Sequence, residues 1–383
     1  MWSIFWNGSN FIRYSRPKKA FIQYLNYRID LLSGDKVPGD LSLFLSELKK
    51  NKLSSKKKLK VMHLYYELGY LLNDLSFDNE TVPLAIDLEY SNEETWSPSK
   101  VTLPLGLVPK KAVSKNSYQR DFDMGWKHLM RGDCYQYNLS YEFEYEITKN
   151  INAEGICSRL WRDSKNISPY AHATFLESLD ELILSNSPEC LFQARVNNDS
   201  NSVWTMPIKG TMPLGKNWKK SFKKLLNSKK DRGELDMITD LLRNDLSRIE
   251  NQISKVVKRR APLIVPKIVH QYSLIETNVS HSVSLFDVLR AVFPGGSITG
   301  APKRSVMKIL RNLEKRNRGI YCGSTIFFNG DKCCSSINIR TALINLKSRT
   351  LNYSAGGGIT LLSNSEDEFL EMHLKKESFV RNL

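Results

Sequence analysis

Two glutamates near the end of the sequence have a spacing that suits a metal site. Glu368 and Glu371 lie three residues apart in SEDEFLEMHLKK, so both carboxylates would project from one face of a helix. An oxygen-seeking divalent cation such as Mg²⁺ would relieve their mutual repulsion. Glu234, which opens another predicted helix, is the candidate for a third ligand. The simpler interpretation is a solvated acidic helix start that the helix dipole stabilises, and the spacing alone favours it.

Two glycine-rich segments could bring backbone N–H groups close to an anion. They are FPGGSITGAPK at 293–303 and SAGGGIT at 354–360. Glycine lets the backbone approach a ligand closely, and a helix start adds a favourable dipole. An ordinary tight turn explains either segment equally well. Neither has the G-K-[ST] of a P-loop or the G-x-G-x-x-G of a dinucleotide site, which excludes those two fingerprints.

Lys209 and Glu189 are candidates for a nucleophile and a proton donor. Lys209 lies at a predicted strand end in MPIKGTMPLG, between apolar residues and a glycine. A lysine with a desolvated amine has a lowered pKa and becomes nucleophilic. Glu189 lies in SNSPEC, where it could donate a proton. The ordinary alternatives are a carboxylate at a loop end and a surface lysine, which predominates in so lysine-rich a chain.

Arg340 is the one charged residue of the segment INIRTAL, which is predicted to be a strand. A buried arginine needs an anionic partner. The carboxylate of a ligand and a structural salt bridge account for it equally well.

Alternating strands and helices must position these residues. Strands are predicted in CYQYNLSYEFEYEI, ELILSNSPECLFQARV and SVWTMPIKGTM, and an Asn-Gly turn at 329–330 predicts a hairpin between YCGSTIFFN and CCSSINIRTALINL. Helices are predicted at 121–131 with Gly132 as the cap, in GELDMITDLLRNDLSRIE, after Pro302 and from about Ser365. Interleaved strands and helices with hairpins favour an α+β fold over a doubly wound one.

Taken together, these segments form an ordered set of motifs. In chain order they are GDCYQYNLS, SNSPE, PIKGT, ELDMITDLLRNDL, FPGGSITGAPK, RGIYCG, INIRTAL, SAGGGI and EDEFLEMHLKK. The set resembles the chorismate-utilising enzymes, which include the anthranilate, aminodeoxychorismate, isochorismate and salicylate synthases. The resemblance implies an anthranilate synthase component I-like fold of two lobes, in which helices flank antiparallel sheets. It also implies a shortened N-terminal lobe at 1–113 and a chorismate-binding catalytic domain at 118–383.

The resemblance also implies a role for each candidate residue. Glu234, Glu368 and Glu371 match the family positions that hold Mg²⁺, and Glu189 matches the acid that assists loss of the C4 hydroxyl. The residues that match positions around the chorismate carboxylates and ring are Gly210, Thr211, Thr299, Tyr321, Arg340, Gly357, Gly358 and Lys375.

Lys209 distinguishes between the subfamilies. PIKGT resembles the aminodeoxychorismate synthases, whose lysine attacks C2 of chorismate, whereas the anthranilate synthases have an alanine, as in PIAGT. The resemblance therefore implies component I of an aminodeoxychorismate synthase, on the route to p-aminobenzoate and folate. Ammonia would come from a separate glutamine amidotransferase subunit in a heterodimer, and a separate lyase would act on the product. Anthranilate synthase component I is the nearest alternative.

Three short segments depart from the family pattern. The family's His-Leu-x-Ser string is replaced by Gln-Tyr-Ser-Leu at 271–274, with His270 one position early. Cys-Ser at 334–335 replaces Asp-Thr ahead of the I-x-I-R-T segment, and Met372 replaces a threonine. The resemblance implies that the first departure affects one contact that faces the substrate ring.

The composition is that of a basic globular protein. The 383 residues carry a formal net charge of +16, concentrated in lysine-rich runs such as 49–60 and 216–230. No nucleic-acid-binding motif lies beside these runs, so a solvated surface is favoured over a nucleic-acid groove, and a positive field would benefit an anionic substrate. A degenerate, non-catalytic basic binding protein is the alternative from a different class. The sequence has no apolar span, signal-peptide pattern or disulfide spacing, which predicts a cytoplasmic protein without membrane partners.

Overall fold

A computed structural model describes residues 1–53, 59–100, 102–214, 217–265 and 268–383. The strands are β1 Trp2–Trp6, β2 Phe11–Gln23, β3 Tyr27–Asp30, β4 Lys36–Pro38, β5 Leu59–Leu64, β6 Ala85–Trp96, β7 Leu107–Lys111, β8 Gln136–Ile147, β9 Tyr170–Leu176, β10 Glu181–Ser187, β11 Cys190–Val196, β12 Asn201–Thr205, β13 Ile208–Pro213, β14 Lys255–Val265, β15 Ile268–Val279, β16 Gly300–Ala301, β17 Ser324–Asn329, β18 Lys332–Ile337, β19 Thr341–Asn345 and β20 Thr350–Ile359. The α-helices are α1 Leu41–Lys50, α2 Leu68–Leu72, α3 Lys115–Met130, α4 Ala153–Trp161, α5 Trp218–Asn227, α6 Lys229–Ser247, α7 Leu285–Val292, α8 Gly296–Thr299, α9 Lys303–Glu314 and α10 Ser365–Val380.

Every strand pairing among the described residues is antiparallel. In space the strands follow the order β8, β20, β19, β10, β9, β1, β2, β6, β5, β17, β18, β11, β12 and β15. Both β13 and β14 pair with β15 at one end, and β7 and β16 pair with β8 at the other. This mixture of helices and antiparallel sheet confirms the predicted α+β class. The division into domains at 113–118 stays a prediction.

Helix α6 packs over the sheet beside the candidate site. Its predicted apolar stripe is buried, with Leu235, Ile238 and Leu246 fully covered. The Thr239 hydroxyl donates a hydrogen bond to Ser273 on β15, with 2.9 Å between the two oxygens. These contacts fix α6 against β15 and β13, which carries Lys209. No helix in the described ranges is long and apolar enough to cross a membrane.

Several local predictions are confirmed. Helix α3 ends at Met130, and Gly132 follows with the left-handed φ of +77° that was predicted for the cap. Helix α10 begins at Ser365, where the Asn364 side chain accepts hydrogen bonds from the first-turn N–H groups. Strands β17 and β18 form the hairpin that the Asn-Gly turn predicted.

Two predicted strands each divide in two. The segment ELILSNSPECLFQARV forms β10 and β11 with Pro188 between them, and SVWTMPIKGTM forms β12 and β13 with Pro207 between them. Proline lacks the N–H that a central strand needs for its ladder, which explains both interruptions. The first interruption places Glu189 in the connection between β10 and β11, directly before β11 begins.

The predictions for the local setting of Arg340 and Glu234 were wrong. Arg340 lies between β18 and β19 rather than within a strand, has a φ of +50°, and is exposed rather than buried. Glu234 does not open a helix, because α6 begins at Lys229. The helix starts earlier because the Ser228 side chain accepts a hydrogen bond from the N–H of Asp231 and caps it there.

Candidate active site

Lys209 and Glu189 are brought together by the fold. Glu189 lies in the two-residue connection between β10 and β11, and Lys209 is partly buried near the start of β13. Burial raises the pKa of the Glu189 carboxyl, while the charges of Lys209 and Lys375 lower it. A carboxyl with a raised pKa therefore lies beside an amine.

The segment 293–303 lies to one side of the pair formed by Lys209 and Glu189. Lys303 Nζ lies 3.0 Å from Asp245 Oδ2 on α6, and the two side chains are only 7% and 4% exposed. This buried ion pair fixes the segment against α6. Ser297, on the single-turn helix α8, is thereby placed close to Glu189.

A second buried ion pair joins three segments around the site. Arg318 Nη2 lies 2.8 Å from Glu314 Oε1, and both side chains are 2% exposed. The Arg318 guanidinium also donates to the carbonyl oxygens of Ile298 (3.1 Å) and Asn138 (2.6 Å). The Glu67 carboxylate accepts the backbone N–H of Arg318 at 2.7 Å. The guanidinium links α8, α9 and β8, and the Glu67 contact with the Arg318 backbone adds the start of α2.

Two residues that are predicted to contact the substrate ring lie on the segments that this network joins. Thr299 is fully buried at the end of α8, and Tyr321 is 5% exposed after α9. Sequence reasoning missed the network itself, although the four-residue spacing of Glu314 and Arg318 in EKRNR was an available signal. The contact with Glu67 joins distant parts of the chain and left no local signal.

The glycine-rich end of β20 meets α10. A Cβ on Gly357 would come within 2.9 Å of Glu368 Oε2, so glycine permits a close approach between strand and helix. Glu368 is 4% exposed. Lys375 Nζ lies 2.8 Å from Glu371 Oε1 and donates to the Gly356 carbonyl at 3.0 Å. The predicted glycines, carboxylates and lysine of this region therefore form one cluster. Gly358 packs closely against the Gln136 side chain in the same region.

The three glutamates predicted to bind a metal have different surroundings. Glu368 is buried, Glu371 is exposed and paired with Lys375, and Glu234 is partly exposed on α6. Within the described ranges, no group of three or more His, Cys, Asp or Glu side chains is arranged to hold a metal ion. Carboxylate oxygens suit Mg²⁺ chemically, but the three-glutamate site stays a prediction.

A further cluster surrounds Gly210, which follows Lys209 in the chain. Gly210 has a φ of +72°, a conformation that glycine adopts without strain. Thr211 Oγ1 lies 2.8 Å from His270 Nδ1, and the Gly210 carbonyl oxygen lies 3.2 Å from the same nitrogen. Burial lowers the pKa of His270, the Gly210 carbonyl raises it, and the charge of Arg340 lowers it. The exposed Arg340 guanidinium therefore acts on the same cluster.

The chain was compared with known proteins. A family model described as chorismate binding enzyme matches residues 57–381. Aminodeoxychorismate synthase component 1 of Salmonella typhimurium is 35% identical over 283 residues, which cover 72% of this chain and 59% of that protein. Anthranilate synthase component 1 of Saccharolobus solfataricus is 31% identical over 272 residues, which cover 69% of this chain and 61% of that protein. The chain spans about three-fifths of the length of these curated relatives.

The fold is similar to that of a solved structure. The crystal structure of anthranilate synthase component I from Streptococcus pneumoniae superposes with a TM-score of 0.81 at 22% sequence identity. The superposition covers 98% of this chain and 93% of that chain. It confirms the predicted anthranilate synthase component I-like fold.

Proposed function

The chain belongs to the chorismate-binding enzyme family, and we propose that it acts as component I of an aminodeoxychorismate synthase. In this role it converts chorismate and ammonia to 4-amino-4-deoxychorismate, which a separate lyase then converts to p-aminobenzoate. The observation that carries the proposal is the position of Lys209 beside the Glu189 carboxyl. The name of the Salmonella typhimurium relative supports it.

Lys209 and Glu189 have complementary roles in the proposed reaction, as the nucleophile and the proton donor. Burial raises the pKa of Glu189 and favours the protonated carboxyl, although the charge of Lys209 opposes this. The proposed reaction needs the neutral amine of Lys209, whose lone pair forms the new bond. The two residues together would supply the nucleophile and the acid.

The proposed reaction has two displacement steps. In the first, Lys209 Nζ forms a bond to C2 of chorismate, both conjugated ring double bonds shift by one position, and the C4–oxygen bond breaks. The Glu189 proton passes to the departing oxygen, which leaves as water. In the second, ammonia forms a bond to C4, both double bonds shift back, and the C2–nitrogen bond breaks to return the neutral lysine. The new C4 ammonium then returns a proton to Glu189.

Mg²⁺ would be held by Glu234, Glu368 and Glu371 on α6 and α10. The ammonium of Lys375 lies beside Glu371 and close to Gly357. A cation is therefore stabilised next to these carboxylates, which supports the proposed metal site. Bound Mg²⁺ supplies electrostatic attraction for a substrate carboxylate. The carboxylates themselves orient the substrate by fixing where that attraction acts.

We assign the remaining site residues to the carboxylates and ring of chorismate. Arg340 and Lys375 offer cations for a dianion, and Thr211 offers a hydroxyl. The complete set is Gly210, Thr211, Thr299, Tyr321, Arg340, Gly357, Gly358 and Lys375. These residues belong to the proposed catalytic domain at 118–383, and the proposed N-terminal lobe at 1–113 contributes the Glu67 contact.

Ammonia would be supplied by a glutamine amidotransferase subunit in a heterodimer. The component 1 designation of the relatives supports a second subunit. The proposed reaction uses only free ammonia, so ammonium salts should replace the partner in vitro.

The test is to incubate the protein with chorismate, Mg²⁺ and ammonium and to resolve the products by mass. We expect 4-amino-4-deoxychorismate, and p-aminobenzoate after a lyase is added. Lys209→Ala should reduce turnover by at least about 100-fold because the nucleophile is removed. Lys255→Ala is a matched control, since Lys255 is an exposed lysine on β14.

Anthranilate synthase component I is the second candidate, which the Saccharolobus solfataricus relative favours. Anthranilate and pyruvate as products, with turnover retained in Lys209→Ala, would establish that function instead. Absence of any Mg²⁺-dependent turnover, with salt-sensitive binding of random duplex DNA, would favour a non-catalytic basic binder.

A further inference from the structure

Glu67 is a buried carboxylate that the proposed reaction does not use. It is 1% exposed and lies directly before α2, where a side chain commonly caps the first N–H groups of a helix, yet it makes no such capping hydrogen bond. The Arg318 guanidinium pairs with Glu314 rather than with Glu67. Burying a carboxylate costs free energy unless hydrogen bonds replace the water that it loses. The partners of Glu67 therefore indicate what this buried charge holds.

These partners lie on the turn that carries Tyr321. The Glu67 carboxylate accepts the backbone N–H of Arg318 at 2.7 Å and that of Gly319 at 3.2 Å. From the adjacent residue, the Tyr66 N–H donates to the Gly319 carbonyl oxygen at 2.8 Å. The Tyr321 N–H closes the turn by donating to the Arg318 carbonyl oxygen at 3.2 Å. The segment before α2 therefore holds this turn at three backbone groups.

The turn has an unusual backbone on both sides of Tyr321. Gly319 has a φ of +64°, and Cys322 has a φ of +60°. The left-handed region has a steric cost for a residue other than glycine, and such a conformation persists only where surrounding contacts fix it. Glu67 supplies contacts before Tyr321, and the Asn338 carbonyl oxygen accepts the Cys322 N–H at 2.9 Å after it. The position of Tyr321 therefore depends on contacts from distant parts of the chain.

We propose that Glu67 is a positioning residue for the chorismate site, which holds the turn at 318–321 so that Tyr321 meets the substrate ring. This inference rests on the proposed function, because that function assigns Tyr321 to the ring. A carboxylate suits the role, since both of its oxygens accept hydrogen bonds and it can hold two neighbouring N–H groups. Glu67 acts through Tyr321 rather than on the substrate.

Glu67→Gln tests the two hydrogen bonds with little change in size. The amide accepts through Oε1 only, so its Nε2 would place a donor against a backbone N–H. Glu250→Gln is the matched control, because Glu250 Oε2 accepts the backbone N–H of Ser280 at 2.7 Å on segments without proposed site residues. Amide hydrogen exchange of the peptide that contains 318–321 should be faster in Glu67→Gln and unchanged in Glu250→Gln.

Gly319→Ala perturbs the same turn without changing Glu67. Gly319 and Gly330 have similar φ values, +64° and +61°, and each has open space where a Cβ would lie. An alanine is strained by the left-handed backbone to a similar extent at both positions. Gly330→Ala is therefore the matched control, because Gly330 lies in the β17–β18 hairpin turn rather than in the turn before Tyr321.

The decisive measurement is the equilibrium affinity for chorismate with Mg²⁺ at pH 8, in a Lys209→Ala background where no covalent adduct forms. We expect Glu67→Gln to lower this affinity by about 10-fold and Gly319→Ala by about fivefold. The two control variants should leave it unchanged. With Lys209 present, kcat/KM should fall by about the same factors, mainly through KM, because a binding contact is weakened.

A double-mutant cycle distinguishes positioning from a purely structural role. When Tyr321→Phe is already present, Glu67→Gln should lower the affinity by less than about twofold further, because both changes act on the same contact with the ring. A general loosening of the fold would lower the affinity by the same factor in both backgrounds. Circular dichroism confirms that each variant is folded before its affinity is compared.

Two outcomes would overturn the inference. One is an unchanged chorismate affinity in both Glu67→Gln and Gly319→Ala, even if hydrogen exchange of the turn becomes faster. The other is a loss of affinity that is equally large with and without Tyr321→Phe. If Glu67→Gln does not fold, the same comparisons with Gly319→Ala decide. If the wild-type protein binds chorismate but forms no 4-amino-4-deoxychorismate, the proposed function fails, and the affinity comparisons still decide the role of Glu67.

Discussion

Lys375 forms an ion pair with Glu371, with 2.8 Å between Nζ and Oε1. The same ammonium donates a hydrogen bond to the Gly356 carbonyl, so it joins α10 to β20. A Cβ on Gly357 would lie 2.9 Å from Glu368 Oε2 and 4.0 Å from this ammonium. Lys375 therefore places a positive charge beside the two carboxylates of α10, Glu368 and Glu371, which are proposed ligands of Mg²⁺.

Glu368→Gln tests the metal assignment. Removing one carboxylate charge should raise the Mg²⁺ concentration for half-maximal turnover by at least about tenfold, because Mg²⁺ binds charged oxygen ligands preferentially. Glu366→Gln is the control on the same helical turn, since Glu366 is exposed and pairs with Lys115. A Mg²⁺ titration of both variants checks this. Equal requirements for Mg²⁺ would contradict the assignment.

Glu67 should give the folded protein a stability that depends on pH. Burial raises the pKa of its carboxyl to about 7, against hydrogen bonds from backbone N–H groups and the charge of Arg318. Because the folded pKa lies above the unfolded value, the folded state binds this proton more tightly. The stabilisation from this group is therefore fully present below about pH 4.5 and lost as the pH rises through 7.

Glu67→Gln isolates this effect, because the other titrating groups are common to both proteins. From pH 4.5 to 8, the unfolding free energy of the wild-type protein should fall by up to about 3 kcal/mol relative to the variant. Urea unfolding of both proteins at a series of pH values measures the difference. A difference that does not change with pH would disprove this assignment.

The sequence predicted local features and failed where contacts are long-range. Capping residues and turns act over a few residues, so the cap at Gly132, the start of α10 at Ser365 and the β17–β18 hairpin were predictable. The exposure of Arg340 depends on where the chain bends between β18 and β19. The lack of charged residues near Arg340 in the sequence does not determine where the chain bends.

The candidate site shows the same limit. Spacing alone favoured ordinary surface roles for Lys209 and Glu189, and the family motifs were needed to join them. The fold then brought them close to each other through the register of β13 and the connection between β10 and β11. The Glu67 contact with Arg318 joins α2 to the segment after α9, and no periodicity within either segment reports it.

The ion pair of Glu314 and Arg318 should be essential to the fold. Glu314→Gln leaves a buried guanidinium without its charge partner, which should cost about 3–5 kcal/mol of unfolding free energy. Glu377→Gln is the matched control, because Glu377 and Arg381 have the same four-residue spacing at the surface. That change should cost less than about 0.5 kcal/mol. Denaturant unfolding of the two variants measures both values, and equal losses would contradict the prediction.

Gly357→Ala should impair activity by displacing Glu368. The added methyl group would meet Glu368 Oε2 at 2.9 Å, so the carboxylate must move away from β20. We expect kcat/KM to fall by about tenfold and the Mg²⁺ requirement to rise, because a ligand displaced by a fraction of an ångström binds less well. Gly233→Ala, in α6 with open space around it, is a control that should keep its activity. Steady-state kinetics at several Mg²⁺ concentrations distinguish the two, and unchanged kinetics in Gly357→Ala would refute the contact.

The most direct measurement is the intact mass of the protein after incubation with chorismate and Mg²⁺ in the absence of ammonia, followed by rapid acid quenching. The account predicts a fraction with added mass equal to chorismate less one water, attached to Lys209 and located by peptide mapping. Addition of ammonium before the quench should remove the adduct, and Lys209→Ala should not form it. Formation of 4-amino-4-deoxychorismate at the wild-type rate by Lys209→Ala would contradict the account.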